Sequence, residues 1–255
     1  MRKLLVFLVA SVAAISSKAQ IGEHRNVVSL GVNGGVALSN VSFVNEVKQG
    51  MHSGMTGGVT LKYTCEKYFK TICSLVAEVN YANIGWKENI LDKNDEQVVT
   101  SDGAALSYVR NMHYIQVPLF ANLAWGKEEK GLQFFFQIGP QLGYCIGESY
   151  SSNFVSGDLG SGNMQIDRYS NRVSQTVAQD TMAVEKRFDY GIAGGVGVQL
   201  SLPHVGRFLI EGRYYYGLGN IYGDTQRDAF KRSNFGNIVI KMTYLFDLIN
   251  KKKSI

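Results

Sequence analysis

The sequence is poor in the residues that most often carry chemistry or mark soluble domains. It has only three prolines, three cysteines and four histidines in 255 residues. Past Ile15 it has no apolar run approaching the ~20 residues that a transmembrane helix needs. An odd number of cysteines excludes a closed disulfide framework. Cys65, Cys73 and Cys145 also lack zinc-ligand spacing, and no histidine lies near them. Cys65 and Cys73 flank EKYFKTI on the apolar faces of their strands. They read as two small buried thiols, with a cross-hairpin disulfide as the alternative.

The histidines are equally scattered. His24 lies in the N-terminal lead, His113 falls on an apolar face and His204 in a turn. His52 sits beside Ser53, but neighbours in a strand point to opposite faces, so the two make no dyad. No nucleophile, base and orienting group converge, and no catalytic site is expected. GGVGVQL and GLGNIYG miss the GxGxxG spacing and precede no helix, so no nucleotide cofactor is expected. No metal site is expected either. With no spanning helix, crossing a membrane would require a closed barrel.

What is present begins with MRKLLVFLVASVAAISSKAQ. A basic start at Arg2 and Lys3, an apolar stretch from Leu4 to Ile15 and small residues before Gln20 predict a signal peptide over 1–19, cleaved after Ala19. No cysteine follows the cleavage point, so lipidation is not expected. With Arg2, Lys3 and Lys18 removed, the formal charge of +5 shrinks to +2. The basic pI then offers no clustered surplus for nucleic acid, which is not an expected partner. Residues 20–255 read as one domain: a lead over 20–26, a barrel over 27–248 and a polar tail over 249–255.

Eight segments alternate with period two and read as strands: 27–43, 52–66, 72–87, 109–125, 132–147, 186–202, 206–222 and 234–248. Every second connection is short (KYFKT, GKEEKG, PHV), and the others are long. Short periplasmic turns and longer outer loops, joining an even number of strands, are the outer-membrane pattern. One face of these strands is apolar. The other carries Gln116, Gln133, Gln137, Gln141, Asp189 and Gln199, together with Lys62, Glu78, Glu211, Arg213 and Lys241. That face is also thick with small residues such as Gly31, Gly139, Gly191 and Ala193, as a confined lumen requires. Eight strands leave a bore that side chains can fill. Charges inside it must pair, so a plugged, salt-bridged, polar interior is expected rather than a pore.

Aromatic residues bound the apolar face at both ends. Tyr63, Trp125, Phe134, Phe208, Tyr244 and Phe246 lie towards the short turns, and Tyr81, Tyr144, Tyr190, Tyr214 and Tyr216 towards the long loops. Two such rings match the interfacial girdles of membrane barrels. The expected fold is therefore all-β: a transmembrane up-and-down antiparallel barrel of about eight strands in the outer membrane of a Gram-negative bacterium.

The segments NYANIGWK, YIQVPLFANL, FDYGIAGGVGVQL and EGRYYYGLGNI resemble the PorT-like outer-membrane β-barrel family of Bacteroidetes, with its OmpA/OmpX-type eight-stranded architecture. Tyr114, Pro118 and Leu119 match one strand motif. Asp189, Gly191, Gly195 and Gly197 match a second, and Arg213, Tyr214, Tyr216, Gly217 and Leu218 a third. Gln116 stands where the family often has Glu. The resemblance implies an outer-membrane location and, for the family's namesake, a part in type IX secretion.

Three functions follow for weighing. The first is a non-enzymatic surface barrel in contact with lipids and lipopolysaccharide, whose loop from Ser149 to Glu185 presents Tyr150, Phe154 and Tyr169 to an extracellular ligand. The second is an accessory part of a secretion machine, acting through GKEEKG and the tail. The third and most remote is a lipid-modifying enzyme.

Overall fold

Period-two alternation with scarce proline builds long, continuous strands, and the chain has little else. In the computed structural model, residues 22–44, 47–90, 97–99, 103–128, 130–154, 183–203, 205–223 and 230–252 are described. Their strands are β1 (Glu23–Val44), β2 (Gln49–Gly50), β3 (His52–Tyr68), β4 (Thr71–Asn89), β5 (Ser107–Gly126), β6 (Gly131–Ser152), β7 (Phe188–Leu202), β8 (Gly206–Gly217) and β9 (Arg232–Lys252). Apart from the two-residue β2, which pairs with β4, each long strand is hydrogen-bonded antiparallel to two neighbours. The order runs β4-β3-β1-β9-β8-β7-β6-β5, and a β4–β5 pairing joins the ends. Eight strands therefore close an up-and-down ring with no free edge.

Burial is inverted relative to a soluble barrel. Leu75, Phe134, Ile138, Ile192, Val196, Ile240 and Met242 are exposed, whereas Lys62, Glu78, Gln137, Glu211, Arg213 and Lys241 are buried. On β6 the outward Phe134 and Tyr144 are ten residues apart. At ~3.3 Å per residue and ~40° of tilt, that span covers roughly 25 Å, the height of a membrane barrel's apolar band. The polar face points inward and the apolar face outward, the arrangement of a transmembrane barrel.

The turns show why particular residues stand where they do. β3 and β4 are joined by Phe69 and Lys70 alone, and Phe69 takes φ of 52° to make that reversal. The turn between β5 and β6 is flanked by Gly126 and Gly131, with φ of 134° and 129°. A Cβ on Gly126 would also meet the Leu132 carbonyl at 2.4 Å. The scarce prolines are placed to suit: Pro118 on β5 and Pro140 on β6 flank the stretch where pairing between those strands lapses, from Pro118–Gln141 to Ala121–Ile138. Neither proline has a donor to give to the ladder.

Four boundaries differ from the sequence reading by four residues or more; one is β6, which runs to Ser152, five residues past the expected 147 and into the stretch read as the third loop. β1 starts at Glu23 and β9 runs to Lys252, with Arg25 opposite Lys252, so part of the lead and of the tail is paired strand. β8 ends at Gly217, short of the expected 222, because the chain then turns into the barrel mouth. The signal peptide, His204, Tyr169 and most of the long third loop lie outside the described residues.

Candidate functional site

Side chains fill the lumen in three layers. The middle layer follows from strand parity: Glu78 on β4, Glu211 and Arg213 on β8, and Lys241 on β9 all point inward. β4 and β8 stand four strands apart in the ring of eight, on opposite walls. Arg213 spans the bore, donating from both terminal nitrogens to the two Glu78 oxygens at 3.0 and 3.1 Å. It also donates to Glu211 at 2.6 Å. Lys241 Nζ contacts Glu78 at 2.6 Å and Glu211 at 3.3 Å.

Two carboxylates and two cations thus cancel within a single cluster. Its remaining acceptor sites are met by amides: Asn80 donates to Glu78 at 2.8 Å and Gln137 to Glu211 at 2.7 Å. Asn33 extends the network to Asn80 and Thr60. The Arg213 guanidinium lies 4.3 Å above the Phe120 ring, adding a cation–π contact in a dry setting. Pairing and hydrogen bonding on this scale offset the cost of burying the four charges, with Arg213 Nε the one nitrogen of that side chain left without a partner.

Lys62 belongs elsewhere. The sequence reading grouped it with the other four, but its Nζ donates to Gln199 Oε1 at 2.9 Å in the layer nearer the short turns. No carboxylate among the described residues lies within ion-pair distance of it. Gln199 in turn donates to Gln133 at 2.8 Å. An apolar cluster of Ile72, Ala124, Phe135, Leu209 and Leu245 packs in this layer as well. At the mouth, Glu128 from the β5–β6 turn reaches Arg25 of β1 at 3.2 Å and Lys67 of β3 at 3.6 Å.

The layer nearer the long loops departs from a polar lumen. Asp189 on β7 accepts a hydrogen bond from Tyr215 at 2.7 Å, and beyond it an apolar cluster packs beside a second set of buried charges. Arg110 pairs with Glu148 and donates to Tyr108 at 3.2 Å, and Glu88 accepts from Trp86 Nε1 at 2.8 Å. Phe43, Ile84, Trp86, Met112, Phe230 and Phe235 pack there as one cluster with Tyr222. Trp86 and Phe230 are fully buried, and Phe43 meets both rings, at 5.4 and 4.6 Å. Burial pushes the Tyr222 phenol above its ordinary range, so it stays neutral. The interior is therefore charged at mid-height and mixed at the outer mouth, where aromatic packing surrounds Glu88 and the Arg110–Glu148 pair. Strand parity carries one signal of this, since Trp86 shares the inward face of Glu78 and Asn80.

The outward aromatics fall where parity puts them. Trp125, Phe134, Phe246, Tyr81, Tyr144, Tyr190, Tyr214 and Tyr216 are exposed, and Tyr63, Phe208 and Tyr244 half-buried. Several are held by local bonds. Trp125 Nε1 donates to Thr71 at 2.8 Å, Tyr244 donates to the Val205 carbonyl at 2.6 Å, and Tyr81 pairs with His113 at 2.7 Å. Two motifs of the family resemblance lie side by side on β7 and β8, with Gly191 opposite Gly217 and Gly195 opposite Arg213, while the Tyr114–Pro118–Leu119 motif stands on β5, beyond β6. Asp189 binds Tyr215, and a Cβ on Gly191 would meet the Tyr216 carbonyl at 2.2 Å. These positions are shaped by packing.

One arrangement has the look of catalysis. Ser39 Oγ lies 3.4 Å from His52 Nδ1, and His52 Nε2 lies 2.7 Å from Asn111 Oδ1. Ser39, however, is fully buried and donates to the Gly85 carbonyl at 3.0 Å while accepting from the Gly85 amide at 2.9 Å. Its hydroxyl pins β1 to β4 and has no approach for a substrate. Ser53, beside His52, faces outward. All three cysteines are free thiols.

Comparison with known proteins gives the fold a place. The crystal structure of Ail, the attachment invasion locus protein of Yersinia pestis, is 16% identical, over 86% of this chain and 98% of its own, with a TM-score of 0.36. OprG from Pseudomonas aeruginosa is 14% identical over 89% and 99%, with a TM-score of 0.38. Neisserial surface protein A is 12% identical over 85% and 97%, with a TM-score of 0.40. No curated protein matches the chain. The family model for the outer membrane protein beta-barrel domain matches residues 18–223, which cover most of the chain. The protein accordingly belongs to the outer membrane beta-barrel domain family.

Proposed function

We propose that the protein is a non-enzymatic surface barrel of the outer membrane. In this reading its lumen is sealed and its outer loops meet an extracellular ligand. The observation that carries it is the Glu78–Arg213–Glu211–Lys241 cluster spanning the bore, because a conducting path would have to break it. The long-loop end offers the exposed Tyr150, stacked on buried Tyr108 at 5.9 Å, as a rigid aromatic beside the third loop. The outward apolar belt contacts lipid, and lipopolysaccharide would surround its outer rim. Lipid modification is disfavoured because the sole serine–histidine contact among the described residues is buried.

A second reading, an accessory role in type IX secretion, draws on the resemblance of the strand motifs to the PorT-like family. It would act through the short-turn rim around Glu128. One experiment separates the two: a clean deletion in the native host, comparing type IX cargo in the medium, on the surface and in the periplasm. Untouched export supports the stand-alone barrel. Cargo held in the periplasm and released by complementation replaces that reading with the secretion role.

A further inference from the structure

The lower lumen holds a buried cation, Lys62, that no carboxylate among the described residues pairs with directly. A small cavity at the short-turn end, with room for about one water-sized or halide-sized particle, is lined by Lys62, Thr64, Gln133, Gln199, Arg207 and Glu128. The fixed charges around it can be counted. Arg207 donates to Asp247 at 2.8 Å. Glu128 is held between Arg25 and Lys67, and Arg25 also meets Glu23 at 2.6 Å. Among the described residues, Arg25, Lys67 and Arg207 are thus each ion-paired to one of Glu23, Glu128 and Asp247. Lys62, buried at 3% exposure, has no ion-pair partner among them.

Its hydrogen bonds tell the same story. An ammonium has three donors, and Lys62 Nζ has one acceptor, the Gln199 carbonyl oxygen. The Gln133 carbonyl oxygen already accepts from Gln199, which leaves the Gln133 amide nitrogen as a further donor at the cavity wall. Thr64 Oγ1 is engaged with Ser74 Oγ at 3.1 Å. Donors thus outnumber acceptors, and a buried cation without a counter-charge is costly.

We propose that this cavity is a site for a single small anion, a halide such as chloride, bound by Lys62 Nζ and the Gln133 amide. Room for about one small particle suits a halide better than the larger sulfate or phosphate. The anion neutralises Lys62 and ties β3 to β6 and β7, bracing the barrel at its periplasmic mouth. The site owes nothing to the outer loops, so it stands whether the protein binds a surface ligand or assists secretion.

The test is thermal unfolding of the folded full-length chain in detergent. Chloride is titrated against gluconate at constant ionic strength, with sulfate as a second arm. The wild type should show a saturable rise of roughly 3–5 °C by ten times the chloride dissociation constant, and none with sulfate. Lys62→Met should lose that rise. Should Lys62→Met fail to fold, Gln199→Glu decides, because it puts a carboxylate beside Lys62 Nζ and should abolish the chloride response while keeping the barrel. A bromide soak should place an anomalous peak beside Lys62 Nζ. A wild type indifferent to chloride, or an equal response in both variants, overturns the site.

Discussion

At the scale of single residues, Arg213 shows how far a side chain's surroundings decide its worth. On an exposed strand face, a Glu211–Arg213 pair two residues apart would contribute little. Inside this bore the same arginine is hydrogen-bonded to both Glu78 oxygens and to Glu211, and its guanidinium lies over Phe120. Arg213→Met would leave two buried carboxylates facing Lys241 alone. The expected loss is about 3–5 kcal/mol, seen as a lower urea midpoint of the folded barrel. Changing Glu78→Gln as well removes one of the stranded charges and should restore part of the loss. A double variant no more stable than Arg213→Met would mean that the arginine acts by filling volume, not by pairing. The inward direction of these charges was legible from parity. Their partners were not, because Glu78 and Arg213 sit 135 positions apart on opposite walls. Lys62 shows the limit most clearly: parity put it in the lumen with the others, but only its height on β3 separates it from the carboxylates.

At the scale of elements, period two served well wherever a strand stays in the wall, and failed where the chain leaves it. β8 was expected to continue through Tyr222, since alternation persists past Gly217. Instead Ile221 and Tyr222 join Phe230 inside the mouth, with their backbones held by Ser233. An apolar residue facing lipid and one plugging a lumen look alike in sequence, so the aromatic cluster that joins Glu88 and the Arg110–Glu148 pair at the outer mouth was not expected. Turns carry the opposite lesson. Phe69 occupies the left-handed region in a two-residue hairpin loop, where glycine or asparagine is the usual choice, at a cost of roughly 1–2 kcal/mol. It is 81% exposed, so it recovers little of that by packing. Phe69→Gly should therefore stabilise the β3–β4 hairpin by about 1 kcal/mol, measured as a raised urea midpoint. A loss instead would indicate that Phe69 anchors the hairpin in the membrane interface.

At the scale of the whole molecule, two seals of different chemistry stand in series. The mid-height cluster blocks the bore with paired charge, and the outer mouth is closed by Trp86, Phe43 and Phe230. They meet at Phe120, which packs in the aromatic cluster and lies under the Arg213 guanidinium, but their closing contacts are made by different side chains. Trp86→Ala should cost about 3–5 kcal/mol in stability, because the rings around it cannot collapse into the space it leaves. It should nonetheless leave the protein silent in planar bilayers, as the charged layer beneath remains intact. Conductance is expected only when both seals are weakened, for example in Trp86→Ala combined with Arg213→Ala and Glu78→Ala. Steady channels from the wild type would show that the charged layer opens under voltage, and the barrel would then be a gated pore. Channels from Trp86→Ala alone would place the whole barrier at the outer mouth. With eight strands and a bore blocked both at mid-height and at the outer mouth, silence from both the wild type and Trp86→Ala is the outcome the packing predicts.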